Sequence, residues 1–176
     1  MNSDGITTRE RKPNFIVRDA MRSEIPQIVR LAAKFFEESN FSRSGLTVDL
    51  AAYQRTIENY WRYPLVKSIV ALDQHDGDLL GYVHVYCQRD YTVELVGEMY
   101  QFYVKPEARG TLVARELVRA ACAQFDAWGC MRSYSECAPG LPDEKSVKTF
   151  ANLWGKFGYK KIGEVLLRDA PNQSGE

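Results

Sequence analysis

Histidine is scarce: only His75 and His84 occur in 176 residues. The four cysteines, Cys87, Cys122, Cys130 and Cys137, form no C-x-x-C pair. The ligand spacing of a structural zinc site is therefore missing, and no metal is expected. Thiols on apolar faces suggest a reducing compartment. No run approaches the ~18 apolar residues of a membrane span. The opening MNSDGITTRERKPN lacks the apolar core of a signal peptide, so a cytoplasmic location is expected. Neither sign of charge is in excess, because 23 Lys and Arg face 23 Asp and Glu. With no global basic field, nucleic acid and anionic membranes are disfavoured as main partners. No internal repeat or low-complexity tract is present.

What remains is the composition of an ordinary soluble domain, 45% hydrophobic and 26% charged. The length suits one domain, and a chain of this size buries roughly 70% of its unfolded surface without disulfide staples. Residues 1–14 read as a flexible tail, 15–169 as the folded domain and 170–176 as a second tail. FIVRDA (15–20) has the character of a strand. Ser23 is placed to cap a helix over 24–38, with Ile28, Leu31, Ala32, Phe35 and Phe36 on one face. NFSRSGLT (40–47) reads as a loop, and Thr47 or Asp49 caps a helix over 49–61. VKSIVALD (66–73) and DLLGYVHVYC (78–87) flank the turn signal QHDG, which makes a hairpin. A strand over 93–104, a helix over 110–128 ended by Gly129, a strand over 131–137, a helix over 144–157 and a strand over 158–169 complete the order. The class is α/β, a mixed and mostly antiparallel central sheet with helices on both faces.

The stretch FYVKPEARGTLVARELV (102–118) joins a strand to an amphipathic helix through a turn that holds Lys105, Arg109 and Gly110. A helix start offers unpaired N–H groups and partial positive charge, which suit an anion. Many strand-to-helix turns carry Pro and Gly with no ligand, so the stretch alone leaves both readings open.

With the element order, this stretch resembles the GNAT family of acyl-CoA N-acyltransferases over about residues 15–169. YVKPEARGTLVARELV looks like the family's R/Q-x-x-G-x-G/A acyl-CoA motif. Arg109 matches its first position and Ala114 its last, while Leu112 replaces the middle glycine. LWGKFGYKKIG (153–163) resembles the closing segment. The resemblance implies acetyl-CoA as co-substrate, a primary amine as acceptor, direct attack in a ternary complex, and no metal. It implies pyrophosphate binding along Arg109, Gly110, Thr111, Leu112, Val113 and Ala114, and pantetheine pairing at Phe102, Tyr103 and Val104. The acceptor is a small molecule or a protein amine, and a homodimer is left open.

The catalytic expectations follow from the chemistry. A lysine-like amine has a pKa of ~10.4, so a base assists its attack near neutrality. Glu98 falls where the family often places that base. By a period of two it shares a strand face with Tyr100, Phe102 and Val104; the other reading is a salt-bridged or solvated carboxylate. Trp154 stands where the family often has an acid Tyr, and an indole is not a practical acid. Tyr159 and Tyr134 are the substitutes, Tyr159 being the catalytic candidate alongside Glu98. Cys137 reads as a nucleophile or as a buried structural thiol. Glu37, Glu38 and Phe41 either attract a cationic amine or form a solvated helix end. Leu112 either restricts the pyrophosphate or points into the core. Against the enzyme stands a weak or inert GNAT-fold module that binds CoA or a protein.

Overall fold

A computed structural model of the chain describes residues 14–89, 93–135 and 143–161. Five strands form one sheet in the order β1-β2-β3-β4-β5. They are β1 (Phe15–Asp19), β2 (Val66–Asp73), β3 (Leu79–Gln88), β4 (Val96–Val104) and β5 (Arg132–Ser135). The first four pair antiparallel, and β5 joins β4 in parallel. The helices are α1 (Ile25–Glu38), α2 (Asn40–Arg43), α3 (Leu50–Tyr60), α4 (Val113–Trp128) and α5 (Glu144–Gly155). The mixed, mostly antiparallel sheet with helices on both faces is as the sequence implies.

Alternation along the strands separates two cores. Ile69, Ala71, Val83, Val85 and Met99 face α4 and α5, where Leu117, Val118, Phe125 and Trp154 cover them. Val70, Tyr82 and Tyr103 face α1 and α3, against Ile28, Leu31 and Ile57. Gly97 shows how tightly the first side is packed. A Cβ built there would lie 2.4 Å from Phe125 Cδ1, and the stiff ring has no flexible end to give way. Gly97→Ala is therefore expected to cost about 1–3 kcal/mol. At about 2–4 °C per kcal/mol for a chain of this size, thermal unfolding should register the loss. An unchanged melting temperature would mean that Phe125 moves aside freely.

Several local expectations are corrected. Ser23 caps nothing; a 3-10 turn (Arg22–Glu24) precedes α1, and the Glu24 carboxylate accepts from Met21 N and from Arg18. Residues 40–43 are helical rather than loop. Asp49 is the cap of α3, accepting from Ala52 N at 2.9 Å. The helix expected from 110 begins at Val113, because Gly110 sits at φ +80°, outside helical space. Residues 158–161 form no strand, and the rest of the expected closing strand lies outside the described residues, as do Cys137 and all but residue 14 of the two tails.

The cysteines are corrected too. Cys87 lies opposite Gly97 in the β3–β4 ladder, and Cys130 follows α4. Both sulfurs reach the same corner of the α4-side core and are joined as a disulfide. Cys122 is a free thiol. The reducing-compartment argument, which took every cysteine as free, therefore falls. No helix among the described residues is long and apolar enough to cross a membrane.

Candidate active site

The β4–β5 ladder runs only from Val96↔Arg132 to Met99↔Ser135. Beyond Met99 no strand among the described residues pairs with that side of β4. Lys105 N donates to Leu80 O on β3 at 2.9 Å. Amide direction alternates along a strand, so Tyr103 also faces β3 while Phe102 and Val104 face the open side. Val104 O there accepts from Arg109 Nε at 2.9 Å.

The same region of β4 is irregular. His84 pairs with Gln101 and Val85 with Met99, leaving Tyr100 without a partner on β3. A bulge of this kind shifts the phase of every later side chain. Glu98 and Tyr100 consequently lie on the α3 side with Gln101 and Tyr103, whereas Phe102 and Val104 join the α4 side. The expectation that Glu98, Tyr100, Phe102 and Val104 share one face fails for this reason.

Glu98 is half-buried and, among the described residues, has no ion-pair partner and is not freely solvated. Tyr86 donates its hydroxyl to Glu98 Oε2, and Tyr134 donates to the same oxygen at 2.5 Å. Gln88 Nε2 donates in turn to the Tyr134 hydroxyl at 3.2 Å. Oε1 has no partner among the described residues. Burial and the adjoining carboxylate raise both phenols, Tyr134 to about 12, so both remain donors near neutrality.

Under the bulge lies a buried polar chain. The Tyr53 hydroxyl donates to Gln101 Oε1 at 2.5 Å and also meets His84 Nε2 at 2.8 Å. One hydroxyl carries one hydrogen, so Nε2 must be the donor to Tyr53. Nδ1 is then bare and accepts from Ser68 Oγ at 2.8 Å. Burial holds the His84 imidazole down to about 3, and it is neutral at physiological pH. The sequence reading did not single out His84 or Tyr86; the alternation of β3, which puts Tyr82, His84 and Tyr86 on one face, was the available signal.

The glycine-containing turn forms a cradle. Thr111 Oγ1 donates to Ala108 O at 2.7 Å and accepts from Val113 N at 3.3 Å, so its hydroxyl is engaged internally. The N–H groups of Gly110, Leu112, Ala114 and Arg115 have no acceptor among the described residues. Leu112 adopts φ −73° and ψ −13°, an ordinary helical geometry, and is 40% exposed. It neither strains the turn nor enters the core. The position whose backbone calls for glycine is 110. Arg109 does not project freely: its guanidinium pairs with Glu38 at the end of α1 and lies over the Tyr103 ring at 5.4 Å. The Tyr103 hydroxyl donates to Glu38 at 2.8 Å. Glu38 is thus committed to the turn rather than being a solvated helix end.

The acetyltransferase (GNAT) family matches residues 27–155, a span that includes β4, the cradle and α4. The chain belongs to the GNAT family. The solved structures agree on the fold. One GNAT relative is the aminoglycoside N-acetyltransferase AAC(6')-Iy in complex with CoA. It aligns with a TM-score of 0.70 at 16% identity, covering 92% of this chain and 98% of the other. Glucosamine-6-phosphate N-acetyltransferase from Arabidopsis thaliana gives 0.68 at 14% identity, over 88% and 97%. A Trypanosoma brucei acetyltransferase gives 0.65 at 17%, over 89% and 99%. No curated protein sequence matches the chain.

On this GNAT sheet, Glu98 and Tyr159 are not brought together. The Tyr159 hydroxyl meets Ser133 Oγ at 2.6 Å and packs with the α4-side core, across the sheet from Glu98. Trp154 is 4% exposed and meets Phe102 edge-to-face with ring centroids 5.1 Å apart; its Nε1 has no partner among the described residues. No group of three or more potential metal ligands occurs among the described residues.

Proposed function

We propose that the protein transfers an acetyl group from acetyl-CoA to a primary amine by direct attack. The observation that carries this reading is the position of Glu98. Its Oε1, without a partner among the described residues, lies at the rung before the β4–β5 ladder ends, on the strand that leads into the cradle. The open amides of Phe102 and Val104 suit the pantetheine arm. The N–H groups of Gly110, Leu112, Ala114 and Arg115, unpaired among the described residues at the start of α4, suit a pyrophosphate.

The amine nitrogen attacks the thioester carbonyl, and the C–S bond breaks with its electron pair on sulfur. A free ammonium of pKa ~10.4 gives up its proton far less readily than the same nitrogen once it has begun to bond to carbon. Glu98 therefore accepts the proton once nitrogen has begun to bond to carbon and has become far more acidic. Tyr159, across the sheet from Glu98 and hydrogen-bonded to Ser133, takes no part in this step. A thiol of pKa ~8.5 leaves acceptably as the thiolate.

Acetyl-CoA at a hundredfold excess over Kd is expected to stabilise the fold by ~2.7 kcal/mol, a rise of about 5–10 °C in Tm. Gly110→Ala should diminish the shift, because an L side chain resists φ +80°. Thiol release across a panel of amines then tests transfer itself. No shift at millimolar acetyl-CoA would sink the reading; a shift without transfer to any amine would favour a CoA-binding module.

A further inference from the structure

Register sets three side chains in a row across the sheet at Glu98. The residue opposite Glu98 is Tyr86 on β3 and Tyr134 on β5. Directly opposed residues of neighbouring strands project from the same face of a sheet, near enough to touch. The carboxylate is therefore flanked by a phenol on each side. Both hydroxyls donate to one oxygen, Oε2, Tyr134 at 2.5 Å. Gln88, two residues beyond Tyr86 on β3, donates Nε2 to the Tyr134 hydroxyl oxygen at 3.2 Å. A hydroxyl has one hydrogen. With its oxygen accepting from Gln88, Tyr134 turns that hydrogen to Glu98. One rung further on, at Met99↔Ser135, the β4–β5 ladder ends.

The two oxygens of the carboxylate are thus placed differently. Oε2 is filled by two donors, whereas Oε1 has no partner among the described residues. The terminal torsion of a Glu is broad and two-fold, so an unheld carboxylate swings its oxygens freely. Two donors arriving from strands on either side oppose that swing. Hydrogen bonds of this kind also favour the charged form of a carboxylate, where burial alone favours the neutral acid. Burial and the shared carboxylate keep both phenols protonated near neutrality, so neither donor is lost. A base must first stand within hydrogen-bond reach of the proton it takes, and its strength matters second.

We propose that Tyr86 and Tyr134 are positioning residues for the acetyl transfer. By jointly holding Oε2, they present Oε1 as the one oxygen that receives the amine proton. Neither phenol takes up or gives away a proton in the step. The role rests on the acetyl-transfer reading; the hydrogen-bonded rung does not.

The test is a double-mutant cycle on the full chain, read by amine-dependent thiol release from acetyl-CoA. Tyr86→Phe and Tyr134→Phe keep the rings and remove the donors. Each should lower kcat by about tenfold, the order of one hydrogen bond to a charged group, with the KM for acetyl-CoA unchanged. In a Glu98→Gln background no base remains to be aimed, and the same substitutions should change turnover by less than about twofold. A merely structural phenol would lower turnover equally in both backgrounds. Proton NMR without acetyl-CoA gives a readout independent of activity. Two downfield hydroxyl resonances are expected, one lost in each Phe variant and both moved upfield by Glu98→Gln as the acceptor loses its charge. Equal losses with and without Glu98, an unchanged kcat in both Phe variants, or hydroxyl resonances that ignore Glu98→Gln overturn the proposal. If the unsubstituted chain acetylates no amine while both resonances are present, the acetyl-transfer reading falls and takes this role with it. If the chain acetylates an amine and the cycle shows no coupling, this role alone falls.

Discussion

Glu98→Gln is expected to lower amine-dependent thiol release from acetyl-CoA by about 10²–10⁴-fold, the usual worth of a general base. The substitution keeps shape and hydrogen-bonding reach, so Tyr86 and Tyr134 retain an acceptor in the amide oxygen. What is lost is the charge, and with it a site for the proton that leaves nitrogen. On the proposed reading the acetyl-CoA contacts lie along the cradle and the open edge of β4, so the thermal shift from acetyl-CoA should persist in the variant. That combination separates lost chemistry from lost binding. Slow hydrolysis of acetyl-CoA without an amine does not enter the comparison. Turnover retained within tenfold would make Glu98 a structural carboxylate.

Acid should weaken the fold through His84. Its folded value of about 3 lies below the ordinary value of 6.5 because burial opposes the charge. The unfolded chain therefore binds the proton more readily. This contribution is fully present above pH 6.5 and is lost as pH falls from there towards 3. At pH 4.5 the cost is on the order of 2–3 kcal/mol, or several degrees in Tm. His84→Gln should flatten the dependence of Tm on pH over this window, whatever its absolute Tm. In the unsubstituted protein, NMR should show an imidazole that does not titrate between pH 7 and 4.5. An imidazole that titrates near 6.5 would refute the account.

The strands and long helices were legible because their periods are set by burial on one face, as in α4, where Leu117, Val118, Ala121 and Phe125 all enter the core. Gly129 was readable as a helix end, and it occupies the left-handed region at φ +74°. The family and the turn at 109–114 were readable from a local motif. The bulge at Tyr100 was not, because its cause is the register between β3 and β4 and no local pattern marks it. Missing it moved Phe102 and Val104 onto the wrong side of the sheet. The partners of Glu98 come from β3 and β5, and those of Arg109 and Tyr103 from the end of α1. Contacts between segments so far apart in sequence leave no trace in either one. The Cys87–Cys130 pair escaped notice for the same reason.

The sheet order has a consequence for how the chain assembles. β2, β3 and β4 meander, and each ladder closes on sequence neighbours. β1 lies next to β2 in space, yet the whole of α1 to α3 separates them along the chain. Loop-closure entropy grows with the length that must be closed, and non-local contacts reward the chain only after that cost has been met. The three-stranded meander that carries Glu98, His84 and Tyr100 can therefore form early and alone. α1, with the Glu38 that grips Arg109, docks on a surface already made. The strand that bears Glu98 is a product of the fast, local part of folding, and its link to the turn at Arg109 belongs to the slow part.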